Sequence, residues 1–398
     1  MDEIIETHND IQYRLTRTGD LYSIEGKTLE GLPASHCKAY VADCYLNGAK
    51  IKALALGGLG TEAELRRHGM ARQCFKMLGE AADKDDCLVS YLHPFSFTYY
   101  RMMGYERVSD HRILEMPIST LSFVPRYPDL IRYRIEHNMD DLAKAYNRFM
   151  EGRNGMFYRN KVQANPDKKM CEGYMSNGDT FDYYFKNRMY FLCKDEAGEP
   201  CGYIRLHKVM DLQHHYLFGT LYVEEIGYDS PETLRKLLGF IRMYDGEVDT
   251  VVFTNVGMCP EVELAVRAYK YTKITIVPDI MARVHNIPKL LEVMTYPQEP
   301  GSFTIRVTDT EKSPFRNGNT EGTFHVEYAD GKAQVTRLAE DADYDMLLPM
   351  PAFSQLIHGF ESYGILTVRY LEGVEVRRDC PDFFRAFPKR PCGLFDLF

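Results

Sequence analysis

The sequence has no tryptophan, no C-x-x-C pair and no apolar run long enough to cross a bilayer as a helix, which takes about 20 residues. Its opening, "MDEIIETHND", is acidic where a secretory signal is basic and then apolar, so the expectation is a soluble cytoplasmic protein without a membrane partner. The ten cysteines are dispersed singly and form no Cys/His cluster at zinc spacing. That pattern excludes a disulfide scaffold and predicts reduced core thiols and no metal site. Adjacent His214 and His215 point to opposite sides of any strand and make poor joint ligands. An excess of positive charge is also missing. Lys and Arg number 48 against 57 Asp and Glu, a net charge of -9, which repels phosphate backbones, argues against nucleic acid as a partner and favours cationic small molecules. Two familiar phosphate-binding spacings, G-x-x-x-x-G-K-(S/T) and G-x-G-x-x-G, are absent as well.

What is present is a chain of 398 residues, 45% hydrophobic and 26% charged. That is a globular composition, and the length suggests two or three domains. One stretch stands out chemically. In "ELRRHGMARQCFKML" the residues Met70, Ala71, Cys74, Phe75 and Leu78, continued by Ala81 and Ala82, recur at helical spacing, which places Gly69 at a helix N-terminus. Before it, Ile51, Ala53 and Ala55 alternate as in a strand, broken by Gly57, Gly58 and Gly60. A strand, a loop rich in glycine and arginine, and a helix start together suit an anion such as a phosphate. On this stretch alone an ordinary solvated loop remains the alternative.

Three blocks follow from the patterning. Residues 1–125 hold this unit and then "CLVSYLHPFSFTYYRMMGYERV", which predicts a strand at Cys87–Leu92, a turn at Pro94, a short helix at Tyr99–Met103 ended by Gly104, and a strand from Tyr105. Residues 126–285 hold a helix in "MDDLAKAYNRFME", two strands around Gly198 and Pro200, a helix opened by Ser230 and Pro231, and a strand in "VDTVVFTNV". Residues 286–398 alternate as strands joined by Asn-Gly and Asp-Gly turns, with a helix in "MPAFSQLIHGF". Together they make an α+β chain.

"RRHGMA", Arg66 to Ala71, fits the (Q/R)-x-x-G-x-(G/A) signature of the GNAT acetyltransferase superfamily, and "TYYRMMGYE" resembles that fold's F-Y-x-x-x-G-(F/Y) segment. With "IVPDIMARVHNIPKLLE", "LPMPAFSQLIHGF" and the final "FDLF", the layout resembles the enhanced-intracellular-survival (Eis) acetyltransferases over nearly the whole chain. The resemblance implies tandem GNAT-like mixed-sheet domains, the second without cofactor, followed by a small sterol-carrier-like domain, in a homo-oligomer. It implies acetyl-CoA as co-substrate, held along its pantetheine arm by the backbone of Leu59, Gly60 and Thr61. The backbone N–H groups of Arg66, Arg67, His68, Gly69, Met70 and Ala71 would hold its diphosphate. It makes Tyr100 the general acid, with Tyr99 as rival, and the terminal carboxylate of Phe398 the base. The acceptor would be a cationic amine: a polyamine, an aminoglycoside-like sugar or a lysine. A different acyl donor, or a non-catalytic binding protein on the same scaffold, are the competing expectations. One departure is plain: about 35 residues precede the strand near His36, where the family opens with a strand and two helices that wall the acceptor groove.

Overall fold

In the computed structural model the described residues are 3–134, 140–159, 188–211, 218–266 and 269–395. His214, His215, Cys171 and Phe398 lie outside them. The chain opens with period-2 patterning. β1 (Glu3–His8), β2 (Ile11–Thr18) and β3 (Leu21–Thr28) form an antiparallel meander, turned at Asn9 and Asp10, both of positive φ, and at Gly19. Residues 3–28, the stretch read as too short for the family's opening strand and two helices, therefore hold three strands. The alternation in "IQYRLTRT" buries Ile11, Tyr13 and Leu15 and exposes Gln12 and Arg14, a pattern that no helix face can use.

β4 (Pro33–Leu46) and β5 (Ala49–Thr61) are joined at Asn47 and Gly48 and pair along their length. The glycines of β5 do not break it. The strand continues to Thr61 through a bulge, where the register shifts opposite His36–Lys38 and Gly58 takes φ 57°. α1 (Met70–Lys84) packs on β4 and β5 with its apolar stripe inward. β6 (Val89–Leu92) follows, buried at every position and parallel to β5. α2 (Phe97–Arg101) and β7 (Glu106–Arg107) complete this stretch.

The next strands belong to another sheet. β8 (Asp110–Pro117), β9 (Ile131–Tyr133), β10 (Met189–Lys194), β11 (Pro200–Met210), β12 (Gly219–Tyr228), β13 (Thr250–Phe253) and β14 (Lys273–Pro278) assemble in the order β14-β8-β13-β12-β11-β10-β9. α3 (Asp140–Met150) and α4 (Pro231–Ile241) cover this sheet; as expected, Ser230 caps α4 by accepting from Thr233 N–H at 3.1 Å. β15 (Met281–Val284) then returns to the first sheet and inserts between β6 and β7, giving β1-β2-β3-β4-β5-β6-β15-β7. Sheet membership thus does not follow the expected divisions at 125 and 285: β8 lies before the first and pairs beyond it, and β15 crosses back.

The third sheet, β18-β17-β16-β19-β20, is built from β16 (Gly301–Thr308), β17 (Gly322–Ala329), β18 (Lys332–Leu338), β19 (Met346–Pro349) and β20 (Glu375–Val376). α5 (Met350–Ile357) lies between it and β15. One continuous core joins Val89, Tyr91 and Val284 of the first sheet to Phe303, Phe353 and Leu356 of the third module. The opposite face of the first sheet is sealed by α1, α2 and Phe315. A sheet buried on both faces ties the third module rigidly to the first.

Candidate active site

The parallel ladder between β5 and β6 ends at the pair Leu56–Leu92, and β5 runs on through Gly57 to Thr61 paired with β4 alone. The backbone there, on the side that has lost its neighbour, can pair with another extended, amide-bearing chain. Leu59, Gly60 and Thr61 present that edge. At Gly60 a Cβ would sit 2.3 Å from Cε1 of the exposed His36 ring, which would have to swing aside.

Beyond Thr61 the chain makes a short turn at Ala63–Leu65 and reaches Arg66, whose Nε donates to the Thr61 carbonyl at 3.3 Å. Arg67 (φ 67°) and Gly69 (φ 85°) are both left-handed. These two left-handed residues, on either side of His68, bend the chain sharply from the extended Arg66 into α1. None of the backbone N–H groups from Arg67 through Arg72 finds an acceptor among the described residues; pairing resumes with Gln73, which donates to Gly69 at 3.1 Å. Four such groups are expected at any helix start. Here the left-handed loop extends the run onto an arginine-rich segment, at the positive end of the 15-residue α1.

These elements enclose a cleft of about 670 Å³. Leu59, Gly60, Thr61, Arg66, Arg67, Gly69, Met70 and Ala71, all expected at the donor, line it. His68 does not; its carbonyl accepts from Asn9 Nδ2 at 3.5 Å. The facing wall holds Phe95, Tyr99, Met102 and Met103 from the α2 region, and Lys312 from the third module. Of these, sequence reasoning named only Tyr99. Arg72, also on the wall, sits one residue past the signature and was equally available to it.

α2 is oriented by Ser96, whose Oγ accepts from Tyr99 N–H at 3.3 Å. The helix then turns Tyr99 to the cleft and Tyr100 behind it, 4% exposed, edge-on to Phe75, Phe95, Tyr99 and Tyr105. The Tyr100 hydroxyl makes no hydrogen bond to a described residue. Burial first, and the neighbouring Tyr99 second, raise its pKa above the ordinary phenol value, so it holds its proton more firmly than a free phenol does. Tyr99 is half-buried and also raised by burial. The two tyrosines stand 5.3 Å apart, centroid to centroid. Gly104 ends the segment at φ 84°, where a Cβ would lie 1.8 Å from Nη1 of Arg283.

The thiols near the site are of a different kind. Burial pushes Cys74 to about 11 and Cys87 to about 12, which removes both as nucleophiles near neutral pH. Among the described residues every cysteine is buried and none is bridged. No group of three or more His, Cys, Asp or Glu among them is placed to hold a metal, and none of their helices is long and apolar enough to cross a membrane. Phe398, expected as the base, is beyond the described residues. The described tail runs along the seam between the first two sheets: Gly393 N–H donates to Asn154 O at 3.1 Å, Asn154 N–H to Pro391 O at 2.8 Å, and Phe395 stacks on Phe149 at 6.3 Å.

Residues 14–108, which contain the bulged strand, the loop, α1 and α2, match the acetyltransferase (GNAT) domain family. The chain carries a GNAT acetyltransferase domain. Domains of this family use acetyl-CoA as co-substrate, and the protein is an acyltransferase. No curated protein sequence matches the chain. Solved structures do. A GCN5-related N-acetyltransferase from Anabaena variabilis superposes with TM-score 0.76 at 17% identity, over 95% of this chain and 90% of that one. Eis1 from Mycobacterium abscessus gives 0.75 at 14% identity over 96% and 92%, and a GCN5-related N-acetyltransferase from Kribbella flavida 0.70 at 15% over 94% and 87%. At these identities the likeness is one of fold, and it extends over all three modules.

Proposed function

We propose that the protein transfers an acetyl group from acetyl-CoA to the amine of a cationic small molecule. The observation that carries this reading is the run of unpartnered N–H groups from Arg67 to Arg72, opening into a cleft whose other arm is a free strand edge. A diphosphate suits the first and an amide-bearing pantetheine chain the second, and the cleft volume accommodates both. The bound donor supplies a thioester carbonyl.

The chain's own residues then have two tasks. An alkylamine near the lysine reference pKa of ~10.4 is mostly protonated at neutral pH, so a base has to remove a proton before attack. We assign that role to the Phe398 carboxylate, carried over from the Eis resemblance. From the same resemblance we carry over Tyr100 as the acid that protonates the departing thiolate as the C–S bond breaks; Tyr99, which lines the cleft where Tyr100 stands behind it, is the alternative for that role. The high thiol pKa values of Cys74 and Cys87 favour direct transfer over an acyl-cysteine. The net charge of -9 supports a cationic acceptor.

The second module is read as lacking a donor. The mouth of α4 carries Asp229 and Glu232 where α1 carries arginines, and the cations of the adjoining cavity include Arg148 and Lys236, which are taken up in ion pairs with these two carboxylates. The third module is read as a sterol-carrier-like platform. The deciding experiment offers full-length protein acetyl-CoA and a panel of polyamines, aminoglycosides and lysine peptides, and locates products by mass spectrometry. Acetylation confined to a cationic amine is expected. Calorimetry with acetyl-CoA against longer acyl-CoAs tests the donor: tighter binding of a long chain would replace acetyl with another acyl group.

A further inference from the structure

Lys312 enters the cleft from the third module, more than two hundred residues beyond the loop it faces. Its placement is fixed by an unusually well anchored loop. Asp309, 9% exposed as a residue, makes a two-point pair with the fully buried guanidinium of Arg283, at 3.0 and 2.6 Å. Arg283 also donates to the Met103 carbonyl at 2.8 Å. Thr310 Oγ1 donates to Met102 O at 3.1 Å and Ser313 Oγ to Met103 O at 3.4 Å, so both residues flanking Glu311 and Lys312 are stapled to the end of the α2 segment. Phe315 then drives into the core against Phe75 and Tyr105.

Between these anchors Lys312 is exposed and has no carboxylate within ion-pairing distance among the described residues, although Glu311 is its neighbour in sequence. A buried ion pair costs desolvation, and a loop held by one is held for position. The result is a single unneutralised ammonium on the wall opposite the Arg67–Arg72 cradle.

We propose that Lys312 is a donor-binding residue supplied by the third module, and that it pairs with the 3′-phosphate at the nucleotide end of coenzyme A. The diphosphate is already served by the N–H groups and arginines of the facing loop. The remaining phosphate, a monoester carrying close to two negative charges, is the group left for a cation on the other wall. This inference rests on the coenzyme A reading above and adds to it the recognition of the nucleotide end.

The test is calorimetric titration of the full-length protein with coenzyme A and with 3′-dephospho-coenzyme A. Wild type is expected to prefer coenzyme A. Lys312→Met, which keeps the aliphatic stem, is expected to weaken coenzyme A binding roughly 5- to 10-fold while leaving 3′-dephospho-coenzyme A unchanged, and Lys312→Arg to restore most of the loss. An unchanged affinity of Lys312→Met for coenzyme A overturns the inference, as does an equal loss with both ligands. Wild type binding neither ligand would remove the coenzyme A reading itself.

Discussion

At the scale of single residues, Arg67 makes two opposed demands. A non-glycine residue at φ 67° carries left-handed strain of about 1–2 kcal/mol, while glycine there costs about 0.5–1 kcal/mol of chain entropy. Arg67→Gly is therefore expected to leave stability unchanged or raise it by up to about 1 kcal/mol, measured by urea unfolding. It removes a charge from the proposed phosphate cradle and should weaken acetyl-CoA binding roughly tenfold. Lower stability would show that Arg67 is not strained, and intact affinity that it faces no anion. The tyrosines divide in a similar way. Tyr100→Phe should lower turnover roughly 10²-fold with donor affinity kept, as loss of a general acid does, whereas Tyr99→Phe should act mainly on donor affinity. If the larger loss of turnover falls on Tyr99, the roles exchange. The cradle was readable in the sequence because its signals are local: glycine, arginine and the onset of a helical stripe lie within a few residues. Lys312 was not, since nothing around "TEKSPF" shows where that loop lands, and Phe95, Met102 and Met103 read as packing.

At the scale of elements, the Arg283–Asp309 pair joins β15 to the loop after β16. Asp309→Ala would leave a fully buried guanidinium uncompensated, with Arg283 Nε already lacking a partner. The expected cost is about 3–5 kcal/mol of unfolding free energy. The double variant Arg283→Met with Asp309→Leu should recover much of it, because apolar replacements of a buried pair are often neutral. A loss below ~1 kcal/mol for Asp309→Ala would mean that water reaches the pair. Element types were largely legible: the strands, the Ser230 cap and the Asp330-Gly331 turn all follow from patterns within a window of a few residues. The exchange of β8 and β15 between sheets was not, since strand partners are chosen by contacts distant in sequence. Nor were the strands of residues 3–28, a stretch that the resemblance marked only as too short for the family's opening strand and two helices.

At the scale of the whole molecule, the seam between the first sheet and the third module contains two buried histidines. His285 ends β15, bonds Ser90 Oγ through Nε2 at 2.8 Å and packs edge-on to Phe315. His358 follows α5 and bridges Tyr91 of β6, at 3.0 Å, and the Ser354 carbonyl, at 2.5 Å. Burial, aided by the charge of Arg283, pulls His285 down to about 3; burial pulls His358 down to about 4 against the opposing Ser354 hydrogen bond. The unfolded chain binds a proton at each near the reference ~6.5 while the folded protein stays neutral there, so stability is full above that pH and falls below it. Each histidine contributes a slope of about 1.4 kcal/mol per pH unit, through pH 4 for His358 and pH 3 for His285. Asp279 adds a later loss. Burial tends to raise it, but hydrogen bonds from His111 and His93 hold it at about 2, so its contribution disappears between pH 4 and pH 2. Urea unfolding at pH 7, 6 and 5 should thus show a steep decline before any carboxylate titrates. His358→Gln should be less stable than wild type at pH 7 yet lose about half as much per pH unit. A slope that survives replacement of both histidines would place the acid sensitivity outside this seam.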